Sequence, residues 1–152
     1  MRTADGSAAT VVVARRGVPY GTQVPIEPGV QARTVHLVGE ADTAVAMGTG
    51  EVPVLATSRL VAWSEQTSLE AMGDQVPEGS TTVAMRVHLD HLKAASIGCQ
   101  VTTIATLERI EGRRYIFVVT NLDTGNEVLA QGRVVRVIVE TAPFLDLSLI
   151  HI

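Results

Sequence analysis

Three side chains able to move protons or engage a carbonyl carbon stand in the middle of this chain: Thr57, Glu65 and His91. Glu65 has Val61, Ala62, Leu69 and Met72 at i−4, i−3, i+4 and i+7, so on a helix it would share their apolar stripe. A carboxylate there sheds hydration it would otherwise keep, which suits a general base or nucleophile. The plainer alternative puts Glu65 at the rim of the stripe, reaching water or Arg59. Thr57 lies eight residues earlier, ~12 Å along one helix, so the two cannot touch within one chain. Its hydroxyl could orient a substrate carbonyl, or could simply serve the first turn of the helix. His91 follows His88 and Asp90; strand alternation sends the two histidines to opposite faces and no third ligand presents itself, so no metal is expected. His91 is then an acid/base or orienting group, or else an ordinary satisfied histidine.

The elements that must position these residues can be read from periodicity and punctuation. Between Leu55 and Met72 there is no Gly or Pro, Thr57-Ser58 opens the run and Gly73 closes it, which predicts one long helix. Ahead of it, Ala32 to Val38 alternates, Glu40-Ala41-Asp42 can turn the chain, and Thr43 to Met47 resumes, which reads as a hairpin before Gly48-Thr49-Gly50 breaks it. After it come four β-rich runs, Thr81 to Leu89, Gln100 to Arg109, Arg114 to Asn121 and Glu127 to Glu140, with turn chemistry at Glu111-Gly112-Arg113 and Asp123-Thr124-Gly125-Asn126. The second half thus reads as an antiparallel meander. The linkers are too short for helical crossovers, so the fold class is α+β, an antiparallel sheet wrapped around one long helix.

Residues 1–28 read as a tail or loosely packed lead-in, and 29–146 as the single domain. The run 147–152 fits no periodicity and is expected to be non-native, so His151 takes no part in the argument. A chain of 152 residues, 46% hydrophobic and 18% charged, has the composition of a globular domain. A net charge of −4 disfavours a nucleic-acid partner. The lone Cys99 excludes an intramolecular disulfide and is expected to be a buried, inert thiol. The absence of a long apolar run or a secretory h-region points away from the membrane and to the cytoplasm.

The stretch Val52-Pro-Val-Leu-Ala-Thr57, the glutamate eight residues on, and His91-Leu-Lys-Ala-Ala-Ser-Ile-Gly98 resemble the hot-dog thioesterases related to fluoroacetyl-coenzyme A thioesterase. The likeness is one of spacing as well as type, for Glu65 and His91 are twenty-six residues apart as in that family. Asp42-Thr43-Ala44, Glu111-Gly112-Arg113, Gly132, Arg136 and Val139 extend it over about Gly29 to Glu140. The resemblance implies a hot-dog domain working as a homodimer, with Thr57, Glu65 and His91 as the catalytic group. Ala84 stands where the family has a glycine near the substrate, and Gly48 and Glu51 where it has lid phenylalanines. Those three are therefore candidate substrate-binding positions, and fluoroacetyl selectivity is not implied.

The same resemblance implies an acyl-coenzyme A thioesterase acting on a short or small acyl thioester, with coenzyme A as part of the substrate and no other cofactor. Arg113, Arg114, Arg133 and Arg136 are candidates for its phosphates. Oxyanion donors would come from backbone N–H groups at the helix start or near Ala84. Two rivals remain open from the sequence: an acyl-thioester hydratase or dehydratase on the same fold, and a non-catalytic acyl-thioester-binding protein.

Overall fold

A computed structural model describes residues 12–14, 26–73 and 75–150. Strands β1 (Val12–Ala14), β2 (Gln31–Leu37), β3 (Ser80–His91), β4 (Gln100–Glu111), β5 (Arg114–Leu122) and β6 (Val128–Glu140) form one sheet. Helix α1 (Ala44–Met47) is a single turn, α2 (Thr57–Met72) is the long helix, and α3 (Thr141–Ile150) follows the last strand. The sheet order is β1-β2-β4-β5-β6-β3, with every neighbouring pair antiparallel. The sheet curls around α2, the α+β hot-dog outline expected from the pattern.

Several expectations change. Ala44 to Met47 is helical and Thr43 makes only an isolated bridge to Leu55, so no hairpin precedes the helix. Asp42 Oδ2 accepts the Gly39 N–H at 2.8 Å and Thr43 Oγ1 accepts the Ala46 N–H at 3.1 Å, side-chain capping that outcompetes a strand ladder. Strand β2 pairs with β4 on one side and with β1 on the other. Only β4, β5 and β6 form the meander, because β3 pairs with the far side of β6. The chain returns from β3 to β4 through residues 92–99, which cross the end of the roll and are tied down on the way. Leu92 N and Lys93 N donate to Leu129 O, Leu55 N to Ala95 O, and Gly98 N to Val38 O. Cys99, on this crossover, is half-buried and not sealed in the core. In the stretch read as a lead-in, Val12–Ala14 pairs with β2, while 1–11, 15–25 and the terminal 151–152 lie outside the described residues.

The core-facing side of α2 is also turned from the expected one. Its buried residues are Leu60, Trp63, Ser64, Thr67, Ser68, Ala71 and Met72, a clean helical stripe in which three members are hydroxyls. Val61 and Ala62 are only half-buried and Leu69 is 48% exposed. Hydrophobicity alone does not find the face because those hydroxyls are paired inside. Thr67 Oγ1 donates to Trp63 O at 2.7 Å, which leaves it to accept from Thr34 Oγ1, also at 2.7 Å. Thr103 Oγ1 donates to Asn121 Oδ1 at 2.6 Å, and Asn121 Nδ2 donates to Ser64 Oγ at 3.3 Å. Hydrocarbon fills in around this seam, with Val30, Leu107, Phe117 and Val134 at one end and Val38, Leu55, Leu60 and Trp63 at the other. Trp63 is stacked on His36, ring centroids 4.4 Å apart and 4° from parallel.

Gly132 on β6 lies opposite Leu89 on β3. A Cβ built there would run into the His88 carbonyl and Leu89 Cα. Gly132→Ala should therefore force the strands apart and destabilise the fold by about 3 kcal/mol. Urea denaturation checks this; an unchanged midpoint would show that the approach has slack.

Candidate active site

Residues Ser80 to Ala84 and Arg86 to His91 pair with β6 in two registers, because a β-bulge at Met85 shifts the ladder. A bulge inserts one extra residue and reverses which side chains face in. Thr82 is buried ahead of it; beyond it Val87 and Leu89 pack on the core, while Arg86, His88 and Asp90 face out. His91 inherits the inward phase. At the end of β3 it meets the first helical residue of α2, and Thr57 Oγ1 lies 2.8 Å from His91 Nδ1. His91 Nε2 is buried with no hydrogen-bond partner among the described residues. His88, by contrast, is on the outer face 3.4 Å from Asp90.

The cleft beside this pair has a volume of about 260 Å³ and is lined by Ala44, Thr49, Val54, Leu55, Ala56, Thr57, Ser58 and His91, with no carboxylate, lysine or arginine among them. Ala56 occupies the N-cap position and has no side-chain oxygen to offer. Its own N–H is taken by Asp42 O, and that of Leu55 by Ala95 O. Among the described residues the N–H groups of Thr57 and Ser58 have no acceptor, leaving two helix-terminal donors at the cleft. Asp42 braces the floor: it is buried and pairs with Arg59 at 3.0 Å. Arg59 is therefore not the partner of Glu65. Gly48 and Glu51 sit exposed in the connection above the cleft without lining it, whereas their neighbour Thr49 does line it.

Glu65 is elsewhere. It is half-buried on the flank of α2, in an open groove of about 410 Å³ whose walls also include Ala62, Leu69, Thr82, Ala84 and Arg136. Ala84 thus belongs with Glu65. No residue lines both hollows, so one protomer brings Thr57 and His91 together and leaves Glu65 apart. Of the arginines considered for phosphates, Arg136 is only 6% exposed and turned inward, and Arg133 is held by Glu108 at 3.0 Å. Arg114 lines a hollow on the outer face of the sheet. Among the described residues no group of three or more His, Cys, Asp or Glu could hold a metal ion, and no described helix is long and apolar enough to cross a membrane.

The crossover that follows His91 is clamped from outside. Lys93 Nζ donates to Asp123 Oδ2 and Glu127 Oε2, both at 2.6 Å. The bond from Lys93, then that from the Glu127 N–H, hold the Asp123 carboxyl below the usual range, and the Asp123 and Glu127 bonds raise the Lys93 ammonium above its own. A depressed carboxyl stabilises the fold above its unfolded-state pKa and loses that contribution as pH falls through the folded value. Lys93→Met should lower the denaturation midpoint at neutral pH, and the difference should vanish once Asp123 is protonated. A gap unchanged in acid would show that the ion pairs contribute nothing.

The family model for fluoroacetyl-CoA-specific thioesterases matches residues 38–142. No curated protein matches the chain. Among solved structures, a thioesterase-superfamily protein of Thermus thermophilus superposes with a TM-score of 0.76 at 27% identity, covering 82% of this chain and 92% of its own. A hot-dog-like protein from Thermanaerovibrio acidaminovorans gives 0.74 at 26% identity, covering 82% and 90%. A point variant of the fluoroacetyl-CoA-specific thioesterase FlK, in complex with fluoroacetate and CoA, gives 0.72 at 22% identity, covering 78% and 99%.

Proposed function

Because the chain belongs to the fluoroacetyl-CoA-specific thioesterase family, it is an acyl-CoA thioester hydrolase, and we propose that it cleaves small acyl thioesters at a site shared between two copies of itself. The observation that carries this reading is the 2.8 Å bond between Thr57 and His91, residues 34 apart in sequence, beside an uncharged cleft. The cleft takes the acyl group, and its lining of Ala, Val, Leu, Thr and Ser favours an uncharged one.

The thioester carbonyl oxygen lies against the free Thr57 and Ser58 N–H groups, where negative charge accumulates as the carbonyl carbon becomes tetrahedral. Glu65 of the second copy provides the carboxylate, which attacks that carbon or takes a proton from the water that does. The C–S bond then breaks, the electron pair leaves with sulfur, and a protonated His91, its orientation fixed by Thr57, gives a proton to the thiolate. Where Glu65 is the nucleophile, water then opens the mixed anhydride, freeing the acid and the Glu65 carboxylate and returning a proton to His91; where it is the base, the proton held by Glu65 passes to His91. The products are the free acid and coenzyme A; no further cofactor enters.

Three features support the paired arrangement. Glu65 and the Thr57–His91 pair occupy separate hollows in one protomer. Among the described residues strand β3 ends the sheet with an unpaired edge twelve residues long, and such an edge invites a second strand. The flank of α2 beside it presents Leu69 at 48% exposure. Two copies joined along β3 would cover both. We assign the homodimer to the cytoplasm, where a half-buried lone thiol stays reduced.

On a panel of acyl-CoA esters from acetyl to long-chain and aryl-acetyl, thiol release should be fastest for small uncharged acyl groups. Glu65→Gln and His91→Ala should each slow it by about 100-fold or more. Thr57→Val should cost less, because it disturbs only the setting of His91. Full turnover by Glu65→Gln would sink the mechanism. Tight ester binding without thiol release would favour the non-catalytic alternative, and a hydrated or dehydrated thioester product the hydratase. Sedimentation should give a dimer.

A further inference from the structure

The outer face of the sheet, turned away from α2, carries a trough that the reaction does not use. Two hollows of about 200 and 290 Å³ lie side by side there and share His88 and Arg133. Four of the chain's 12 Lys and Arg residues, Arg86, Arg109, Arg114 and Arg133, line the first, in a protein whose net charge is −4. Carboxylates answer only two of them. Arg109 is 2.7 Å from Glu111 and 2.8 Å from Glu108, and Arg133 is 3.0 Å from Glu108. Arg86 and Arg114 form no ion pair among the described residues. They flank β6 from β3 and from β5, two strand spacings or ~10 Å apart, so both guanidinium groups can close on one small anion.

The strand registers explain this concentration. Bulges interrupt β3 between Ala84 and Arg86 and β4 between Leu107 and Arg109, and each turns the arginine that follows it outward. Arg109, Ile116, Val135 and Arg86 therefore form one cross-strand row, with an arginine at either end and an apolar floor between. Ile116 is only 4% exposed although it faces outward, so neighbouring side-chain stems cover it. The second hollow differs in kind. Its floor includes Val118, and its polar walls are Thr120, Gln131 and Asp90. No hydrogen bond among the described residues engages the Thr120 or Gln131 side chain. One end of the trough is thus cationic, and the other offers unused hydrogen-bonding groups beside a carboxylate.

We propose that this trough is a binding site for a free nucleoside monophosphate, separate from the thioester-cleaving site. The phosphate lies between Arg86 and Arg114, and the sugar and base lie over Val118, where Thr120, Gln131 and Asp90 meet their polar groups. Charge sets this polarity: a phosphate dianion is drawn to the two unpaired guanidinium forks and repelled by Asp90, whereas a sugar hydroxyl donates to that carboxylate. The span also suits a nucleotide, since the Thr120–Gln131 row is four strand residues, ~13 Å, from the Ile116–Val135 row. Neither hollow shares a residue with the cleft of Thr57 and His91 or with the groove of Glu65, and the inference does not depend on the mechanism assigned there.

The test is isothermal titration calorimetry of the full chain with AMP at low salt. AMP should bind, and Arg86→Gln and Arg114→Gln should each weaken it by about tenfold or more. Adenosine, which lacks the phosphate, and inorganic phosphate, which lacks the nucleoside, should each bind at least about tenfold more weakly than AMP. Arg113→Gln removes the same charge from the adjoining turn without touching the trough, and should change the affinity by less than about twofold. Saturating coenzyme A should also leave the AMP affinity within about twofold.

No AMP binding at millimolar concentration overturns the proposal. An equal loss in Arg113→Gln does so as well, because diffuse surface charge would then be the attraction. Inorganic phosphate bound as tightly as AMP would reduce the trough to a patch for anions, and adenosine bound as tightly would remove the arginines from recognition; either result overturns it. Displacement of AMP by coenzyme A overturns the separate site, since the trough would then seat the nucleotide end of the substrate.

Discussion

The rotation of α2 about its own axis is the constraint on which the site depends. A helix seated on hydrocarbon alone can roll, since contact between aliphatic groups is not directional. Here the seat is partly polar: Thr34 with Thr67, Asn121 with Ser64 and Thr103, and Arg136 with Ser68 and the Glu65 carbonyl. A roll of one residue would leave several buried hydroxyls and an amide unpaired, each costing about 1–3 kcal/mol. With the rotation fixed, Thr57 points to His91 at one end and Glu65 to the open groove on the flank.

Strand β3 answers the helix from the sheet side. Its bulge at Met85 lets Thr82 face Arg136 and, beyond the bulge, brings His91 to the inner face. Had the inward phase of Thr82 and Ala84 run on without the bulge, Arg86, His88 and Asp90 would face in and His91 would face out. The crossover 92–99 then carries the chain from His91 past Leu55 and Val38, and its bond to Leu55 N places the start of α2 against the end of β3. One continuous stretch of backbone contacts therefore sets the distance between the two residues of the hydrogen-bonded pair.

Much of this is legible in the sequence. The long helix, the four late strands and the family can be read because Gly73, Gly112 and Gly125 punctuate runs of clear period, and because three spaced residues carry the resemblance. The helix face cannot, since Ser64, Thr67 and Ser68 count as polar in any hydrophobic stripe and become core only through partners on distant strands. The helical turn at Ala44 to Met47 escapes periodicity because its stability lies in the capping oxygen of Thr43. Sequence offers Arg136 as a residue of the resemblance and as a possible phosphate ligand; its burial is something a β-strand arginine does not announce. A signal for the bulge does exist at Ala84-Met85-Arg86, where unbroken inward alternation would put charged residues in the core.

The central claim is that a working site takes Thr57 and His91 from one copy and Glu65 from the other, and subunit mixing tests it most directly. Glu65→Gln and His91→Ala homodimers, each inactive, are unfolded together, refolded as a mixture and assayed for thiol release. Random pairing restores one intact site in each mixed dimer, so activity should return to roughly a quarter of the wild-type value. A mixture as inactive as its parents, with mixed dimers demonstrably formed, would mean that all three residues act within a single copy and would contradict the account.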